Sequence, residues 1–212
     1  PWTAQLVKIA GCDLPVQAIR HQRARTIPVD DIPDHHPVVR INDVSCYLRP
    51  EQGGYLYGFF EPSPTRIDMA VQPDSFRTSD LAVPHATMAQ ARQRLGQVFP
   101  ILNSLVVEEN HQGITTFAPD GRYLIGPVPG VSGLFASTGC AALGIAGSAV
   151  VGSWLAESVQ TERPPQALEE FGLERFGDRA ADREWVSRTA TEFYANYYSL
   201  TPGEPDESPR GQ

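Results

Sequence analysis

One segment restricts the fold of this chain more than any other: an apolar strand runs into a glycine-rich turn and then into a helix. It reads Phe-Ala-Ser-Thr-Gly-Cys-Ala-Ala-Leu-Gly-Ile-Ala-Gly-Ser over residues 135–148. Side chains this small suit a helix packed closely on a sheet, and they equally let a flat ligand or a phosphate approach the backbone N–H groups. The N-terminal end of such a helix would also stabilise negative charge on that ligand. The spacing alone leaves both interpretations open.

The glycines of this segment do not form a dinucleotide-binding fingerprint. They stand at positions 139, 144 and 147, with Gly152 following after the segment, and a Gly-x-Gly-x-x-Gly spacing occurs nowhere in the sequence. We therefore expect the nucleotide-binding part of such a site to be supplied by another segment. The chain begins with Pro1 rather than Met, which we interpret as the start of a processed product or of one piece of a longer enzyme.

Charge and composition exclude several other classes of protein. The net charge of −8 provides no basic excess for binding nucleic acid or an anionic membrane surface, and the sequence has no long apolar run typical of a membrane span. Cys12, Cys46 and Cys140 form no Cys-x-x-Cys pair, so we expect neither a disulfide framework nor a thiolate zinc site. His35-His36 lacks nearby ligands that would complete a metal site. We expect a cytoplasmic protein.

The residue pattern predicts a mixed fold of helices and an antiparallel sheet. Alternation with a period of two predicts strands over 14–26, 38–41, 45–49, 55–61, 66–71 and 105–117, with shorter strands over 123–125 and 134–137. Helical periodicity predicts helices over 3–9, 88–99, 146–159 and 182–198, the second of them capped by Thr87. The last stretch, 201–212, is rich in Pro, Glu, Ser and Gly, which predicts a disordered tail or linker.

Motifs around the glycine-rich segment resemble a known family. Residues 116–130 (Thr-Phe-Ala-Pro-Asp-Gly-Arg-Tyr-Leu-Ile-Gly-Pro-Val-Pro-Gly) and 133–139 (Gly-Leu-Phe-Ala-Ser-Thr-Gly) resemble the C-terminal flavin-binding signature of the D-amino-acid-oxidase-like superfamily. Residues 154–157 and 174–176 continue the resemblance. It implies FAD as cofactor, held by Gly126, Pro127, Gly139, Cys140, Leu143, Gly144 and Ile145. For Cys140, a small buried side chain is the simpler role.

The first half of the chain is similar to the dimethylglycine and sarcosine dehydrogenase and oxidase branch of that family. Ile-Arg-His-Gln at 19–22 resembles the branch's His-Gln element, and Cys-Tyr-Leu-Arg-Pro at 46–50 resembles its Tyr-x-Arg strand. The resemblance implies that His21 and Tyr47 are a catalytic pair, which handles the proton of a substrate amine. The residues by themselves equally suit a solvent-facing strand histidine and an aromatic residue on the sheet surface.

Two further residues are expected to contact the substrate. Arg49 has the guanidinium geometry that binds a carboxylate through two hydrogen bonds, and it could equally form a structural ion pair with Glu51 or Glu61. Tyr55 lies on the next predicted strand, where it would line the pocket or pack within the sheet.

The resemblance also implies a domain organisation and a function. It implies an α+β fold with an antiparallel substrate-domain sheet at 1–117, the C-terminal strand and helix of a split, Rossmann-like FAD-binding domain at 118–177, and a C-terminal helix at 178–200. The implied function is that of the C-terminal portion of an FAD-dependent amine oxidoreductase, which demethylates a secondary or tertiary amine such as dimethylglycine or sarcosine. Such a portion would be active only with its N-terminal FAD-binding segment as partner. The alternative is a non-catalytic regulatory or scaffold chain of the same fold.

Overall fold

The computed structural model describes residues 1–30, 32–33 and 35–199, which form an α+β fold. The α-helices are α1 (Thr3–Ile9), α2 (His85–Val98), α3 (Gly144–Thr161) and α4 (Arg183–Ala195). The strands are β1 (Gln17–Thr26), β2 (Val39–Ile41), β3 (Cys46–Glu51), β4 (Gly54–Phe59), β5 (Arg66–Ile67), β6 (Val107–Phe117), β7 (Leu124–Pro127) and β8 (Phe135–Thr138). The tail predicted at 201–212 lies outside the described residues.

The antiparallel sheet predicted for the first half of the chain is confirmed, and β1 is its central strand. One edge of β1 pairs with β6 from Gln17 to Thr26. Its other edge pairs with β5 near its start and with β4 near its end, and β3 and β2 follow β4 in the order of the sheet. Because the turn between β3 and β4 is short and contains Gly53 with a positive φ of 76°, these two strands form a hairpin.

The two faces of this sheet carry different partners, because successive side chains of a strand point to opposite faces. The α2 face is a hydrophobic core in which Ala24, Leu48 and Tyr57 are buried together with Ala91 and Leu95 of α2. The α4 face carries a second cluster, in which the sheet residues Ile19, Phe60 and Phe117 pack with Ala190 and Tyr194 of α4. Anything that α4 leaves open on its face is accessible to a ligand.

Most predicted elements differ from the structure by a few residues at their boundaries, and for two of them the structure shows the cause. The strand predicted over 66–71 ends at Ile67, because Asp68 accepts a hydrogen bond from the Ala70 N–H (2.9 Å) and starts a 3₁₀ turn over Met69–Val71. Helix α2 begins at His85, directly after Pro84, so Thr87 is not its cap. The Thr87 hydroxyl instead donates to the Glu61 carboxylate (3.1 Å).

The second half of the chain is built around the β7–β8 hairpin and α3. An ion pair with two hydrogen bonds fixes the turn before β7, since Arg175 donates to both carboxylate oxygens of Asp120 at 2.8 and 2.9 Å. At the start of α4, Asp182 accepts from the Trp185 N–H (3.0 Å), which caps that helix. None of the helices that the structure describes is long and apolar enough to cross a membrane.

Helix α3 is apolar and yet exposed. From Gly144 to Ala156 it contains no charged residue, but Ser158 is its one buried residue. Ile145 is 95% exposed, and Val150 and Val159 are each more than half exposed. A helix with this composition normally lies inside a protein, so its surface is suited to contact with another segment.

Candidate active site

His21 lies at the centre of the α4 face. It is on β1, opposite Gly113 of β6. Because it lies two residues after Ile19 on the same strand, its side chain points to the same face as that of Ile19. Its ring packs against Phe60, with the ring centroids 4.6 Å apart. The side chain is half-buried, so it belongs neither to the core nor to the open surface.

Two tyrosine hydroxyls hold the His21 ring, one at each nitrogen. The Tyr47 hydroxyl is 3.1 Å from Nε2, and the Tyr194 hydroxyl is 2.8 Å from Nδ1. Tyr47 reaches His21 because Gly58, its partner on β4, has no side chain where the tyrosine ring crosses that strand. The sequence-predicted pair of His21 and Tyr47 is thus brought together, and Tyr194 of α4 is added to it.

All members of this hydrogen-bonded chain are neutral at pH 7. Burial lowers the pKa of His21 to about 4, since an imidazolium ion loses its hydration there. Burial also raises the pKa of Tyr47 to about 12, and it raises the pKa of Tyr194 well above the ordinary range of a phenol. A neutral imidazole has one donor and one acceptor nitrogen, so it can connect the two hydroxyls in series.

Aromatic side chains from the end of α4 cover the site. The ring of Phe60 stacks on Tyr197 at 4.4 Å and contacts Tyr194 and Tyr198 at 5.0 Å each. Tyr194 itself is fully buried. This cover separates the Tyr194 side of His21 from solvent, whereas the Tyr47 side is only half-buried.

The cationic residues of the same face differ in their partners. Arg49 forms an ion pair with Glu51, which is one of the two roles expected for it from the sequence. Arg25 is paired with Glu109 at 3.1 Å. Arg23 is exposed and pairs with no carboxylate among the described residues, although it is close enough to Tyr47 to affect its pKa. The sequence interpretation missed Arg23 and Tyr194, and the alternation of β1 could have indicated the former.

Tyr55 is not brought to this site. It is 7% exposed and packs in the core of the α2 face, and its hydroxyl is 3.2 Å from His36 Nδ1. Since Tyr47 and Arg49 lie on the opposite face, the placement of Tyr55 matches the sheet-packing role that the sequence left open.

The glycine-rich segment forms a tight turn between β8 and α3. Gly139, Ala141 and Ala142 all have positive φ angles, of 66°, 44° and 63°, and the Ala141 N–H donates to Thr116 O (3.0 Å). This left-handed conformation strains the two alanines. Cys140 is half-buried inside the turn, and its sulfur lies beside Gly144.

The start of α3 has the features of a cofactor contact. No side chain caps the helix at Leu143, which leaves its first N–H groups available to a negatively charged partner. Leu143 and Ile145 are exposed, and Tyr123 secures the turn by donating to Leu143 O (2.8 Å). Of the other residues expected to bind a cofactor, Gly126 and Pro127 lie at the opposite end of the β7–β8 hairpin from this turn.

The turn and the His21 pair belong to one packed unit. Ala141 of the turn is buried in the same cluster as Phe60 and Tyr194, which contact His21 directly. A ligand lying on the exposed start of α3 would therefore lie close to the α4 face of the sheet.

Sequence comparison identifies the family. Residues 1–158 match the family described as DAO, FAD dependent oxidoreductase. The chain belongs to this family. The cofactor of DAO proteins is FAD, and the uncapped, small-residue turn at the start of α3 fits it. The C-terminal flavin signature that the sequence resembles is thus confirmed at the level of the family.

Two curated relatives of this DAO chain bear the names of an oxidase and a dehydrogenase. The 4-methylaminobutanoate oxidase (formaldehyde-forming) of Paenarthrobacter nicotinovorans is 27% identical over 201 residues, which are 94% of this chain and 24% of that protein. Mitochondrial sarcosine dehydrogenase of Mus musculus is 26% identical over 200 residues, which are 94% of this chain and 21% of that protein. The chain thus spans less than a quarter of the length of these two relatives.

A solved structure shows the same fold. L-proline dehydrogenase from P. horikoshii superposes with a TM-score of 0.67 at 19% identity, over 82% of this chain and 44% of that one. The likeness supports the α+β architecture of this DAO chain and its arrangement of sheet, hairpin and helices.

Proposed function

We propose that this chain is the C-terminal portion of an FAD-dependent oxidoreductase that oxidises a secondary or tertiary amine, with N-methyl amino acids such as sarcosine or dimethylglycine as the substrate class. The observation that carries the proposal is the Tyr47–His21–Tyr194 chain, which lies in one packed unit with the glycine-rich turn. Both curated relatives reported above bear the names of enzymes acting on N-methylated amino acids. Oxidation would give an imine, which water hydrolyses to the demethylated amine and formaldehyde.

The residues of this chain supply a neutral, water-poor setting for that reaction. The chemistry contributed by bound FAD is acceptance of a hydride from the carbon beside the amine nitrogen. The turn at Gly139–Ala142 and the start of α3 would hold the cofactor. His21 and Tyr47 carry no charge at pH 7, so they do not repel a cationic amine, and the Tyr47 hydroxyl oxygen can accept a hydrogen bond from its N–H group.

Arg23 is our preferred ligand for the carboxylate of an amino-acid substrate. It is exposed, lies two residues from His21 on the same face, and pairs with no described carboxylate. Arg49 is closer to Tyr47 along β3, but Glu51 already neutralises its charge. A substrate that binds Arg49 must displace this pairing, whereas one that binds Arg23 need not.

A partner segment would complete the flavin site. The apolar surface of α3 includes Ile145, Val150 and Val159, which are exposed in this chain. We propose that an N-terminal FAD-binding segment covers this surface, since contact with it would remove apolar side chains from water. The same contact would place the nucleotide-binding part of the site beside the glycine-rich turn.

The visible absorption spectrum of the protein, assembled with its FAD-binding segment, tests the proposal. Anaerobic addition of sarcosine or dimethylglycine should bleach the oxidised-flavin band. A flavin band that no N-methyl amine bleaches would contradict the proposed reaction and favour the regulatory or scaffold alternative. Absence of flavin from the assembled protein would contradict the cofactor site itself.

A further inference from the structure

Arg40 is, like Arg23, an exposed arginine of the α4 face that pairs with no carboxylate among the described residues. It lies on β2. Its guanidinium carbon is 5.6 Å from the centroid of the Tyr198 ring, and Tyr198 belongs to the hydrophobic cluster of the α4 face. Arg40 therefore projects to the same face of the sheet as His21 and Tyr47.

Arg40 and Arg23 lie in one row that crosses four strands, which we call the Tyr47 row. Tyr47 of β3 is opposite Arg40 of β2. Gly58 of β4 is opposite both Tyr47 and Arg23, which lie on its two neighbouring strands. Residues directly opposite each other in an antiparallel sheet project to the same face. Because the Tyr47 ring covers Gly58, the row presents one aromatic ring with a cation on each side.

The charges of this row are not neutralised by the protein, unlike those of the row beside it. The two arginines of the neighbouring row have carboxylate partners, since Arg49 pairs with Glu51 and Arg25 pairs with Glu109. The two arginines of the Tyr47 row have none among the residues that the structure describes. In a chain with a net charge of −8, two unpaired cations on one face create a local positive potential that attracts an anion.

The separation of the two cations restricts the length of a ligand that binds both. Side chains stand roughly perpendicular to a sheet, so cations three strand spacings apart are separated by on the order of 14 Å. A carboxylate held by two hydrogen bonds of about 2.8 Å keeps its carbon roughly 4 Å from the guanidinium carbon. Roughly 5–6 Å then remain between two carboxylate carbons, and an extended five-carbon diacid spans about 5 Å. Its methylene groups would lie on the Tyr47 ring.

We infer that the Tyr47 row is a dicarboxylate site, and that the amine oxidised by this enzyme carries a second carboxylate, as an N-methylated amino acid of the glutamate type does. Arg23 binds one carboxylate and Arg40 binds the other. The substrate class rests on the proposed amine oxidation. The binding of a dicarboxylate does not, because it depends only on the two arginines and their spacing.

Isothermal titration calorimetry of the assembled protein with glutarate and with pentanoate tests the site without turnover. Both ligands have five carbons, and they differ in the second carboxylate. We expect glutarate to bind about 10-fold more tightly, because it adds one charge-assisted pair. Malonate is too short to reach both arginines, so it should bind no more tightly than propanoate.

Arg40→Gln should remove the preference for glutarate. Arg188→Gln is the matched control, since it removes the same charge from an exposed position on α4, and it should retain the preference. Equal affinities for glutarate and pentanoate in the unmodified protein would overturn the inference. A preference for glutarate that persists in Arg40→Gln would overturn it as well.

Steady-state kinetics with N-methylglutamate and N-methylnorvaline tests the substrate class, because these two amines also differ in the second carboxylate. The value of kcat/KM should be about 10-fold higher for N-methylglutamate. A protein that prefers glutarate while no N-methyl amine bleaches its flavin would support the dicarboxylate site and contradict the proposed function. A protein whose flavin is bleached by sarcosine but that shows no preference for glutarate would overturn this inference alone.

Discussion

The ring of Tyr47 crosses β4 at Gly58, and this crossing brings its hydroxyl to 3.1 Å from His21 Nε2. A methyl group at position 58 would overlap the ring. Gly58→Ala should therefore displace Tyr47 from His21 and lower the kcat of the assembled enzyme, with little effect on secondary structure. Steady-state kinetics and far-UV circular dichroism measure the two effects.

Gly113→Ala is the control for this substitution. Gly113 lies opposite His21 on β6, and a side-chain methyl group there would meet nothing within 4 Å. If Gly58→Ala and Gly113→Ala lower kcat equally, the loss in Gly58→Ala is not due to displacement of the Tyr47 ring.

The low pKa of His21 predicts a dependence of stability on pH. The folded chain binds a proton at His21 only near pH 4, whereas the unfolded chain binds it near pH 6.5. Between these values the unfolded state holds more protons, so the free energy of unfolding should fall as the pH decreases from 6.5 to 4. At pH 5 the loss attributable to His21 is about 1–2 kcal/mol.

Urea denaturation at pH 7 and pH 5 measures this effect. His21→Gln should remove that part of the pH dependence, whereas substitution of the exposed His85 by Gln should leave it unchanged. Tyr47 and Tyr194, which hydrogen-bond to the His21 ring, have raised pKa values and stay protonated throughout this range. An equal pH dependence in His21→Gln and the unmodified chain would contradict the burial of a neutral imidazole.

Arg23 and Arg49 make a matched pair for testing carboxylate recognition. Arg23→Gln should raise KM for sarcosine by about 10-fold or more while kcat changes little, because a charge-assisted hydrogen bond is worth about 1.5–3 kcal/mol. Arg49→Gln should have a smaller effect, since Glu51 already occupies that guanidinium. A larger rise in KM for Arg49→Gln than for Arg23→Gln would instead indicate that Arg49 binds the substrate carboxylate.

The ion pair of Arg175 with Asp120 should contribute to the stability of the second half of the chain. Its two hydrogen bonds, at 2.8 and 2.9 Å, involve an Arg175 side chain that is only 12% exposed. Asp120→Asn should lower the free energy of unfolding by about 1–3 kcal/mol. Arg122→Gln, which removes an exposed ion pair with Glu170, should cost less than about 0.5 kcal/mol in the same denaturation experiment.

Ile145 provides a test of the proposed N-terminal segment. It is 95% exposed, so Ile145→Asp should leave the stability of this chain unchanged. It should nevertheless weaken association with the FAD-binding segment, because a charge would be buried at the contact. Gln160→Asp, near the exposed end of the same helix, is the control. Sedimentation or pull-down with the segment compares the two, and equal binding would exclude this surface of α3 from the contact.

Sequence patterns predicted the main elements well where local chemistry decides them. The alternation of β1 and β3 put His21, Tyr47 and Arg49 on predictable faces, and Asp182 marks the start of α4. A prediction was wrong where a side chain forms its hydrogen bond with a residue distant in sequence instead of with its own helix. Thr87 donates to Glu61, 26 residues away, rather than to its own helix.

The sequence by itself determined the family, the strand alternation and the glycine-rich turn, because these depend on residues close together in the chain. Only the tertiary structure decided what covers His21. Tyr194 lies 173 residues further along the chain and reaches His21 through the packing of α4 on the sheet. The alternation of β1 indicates the face of Arg23, but only the structure shows that Arg23 pairs with no carboxylate among the described residues, whereas Arg49 and Arg25 pair with Glu51 and Glu109. Local periodicity predicts which face of the sheet a side chain occupies, because it depends only on neighbouring residues. The residues that this side chain contacts depend on how distant elements pack together.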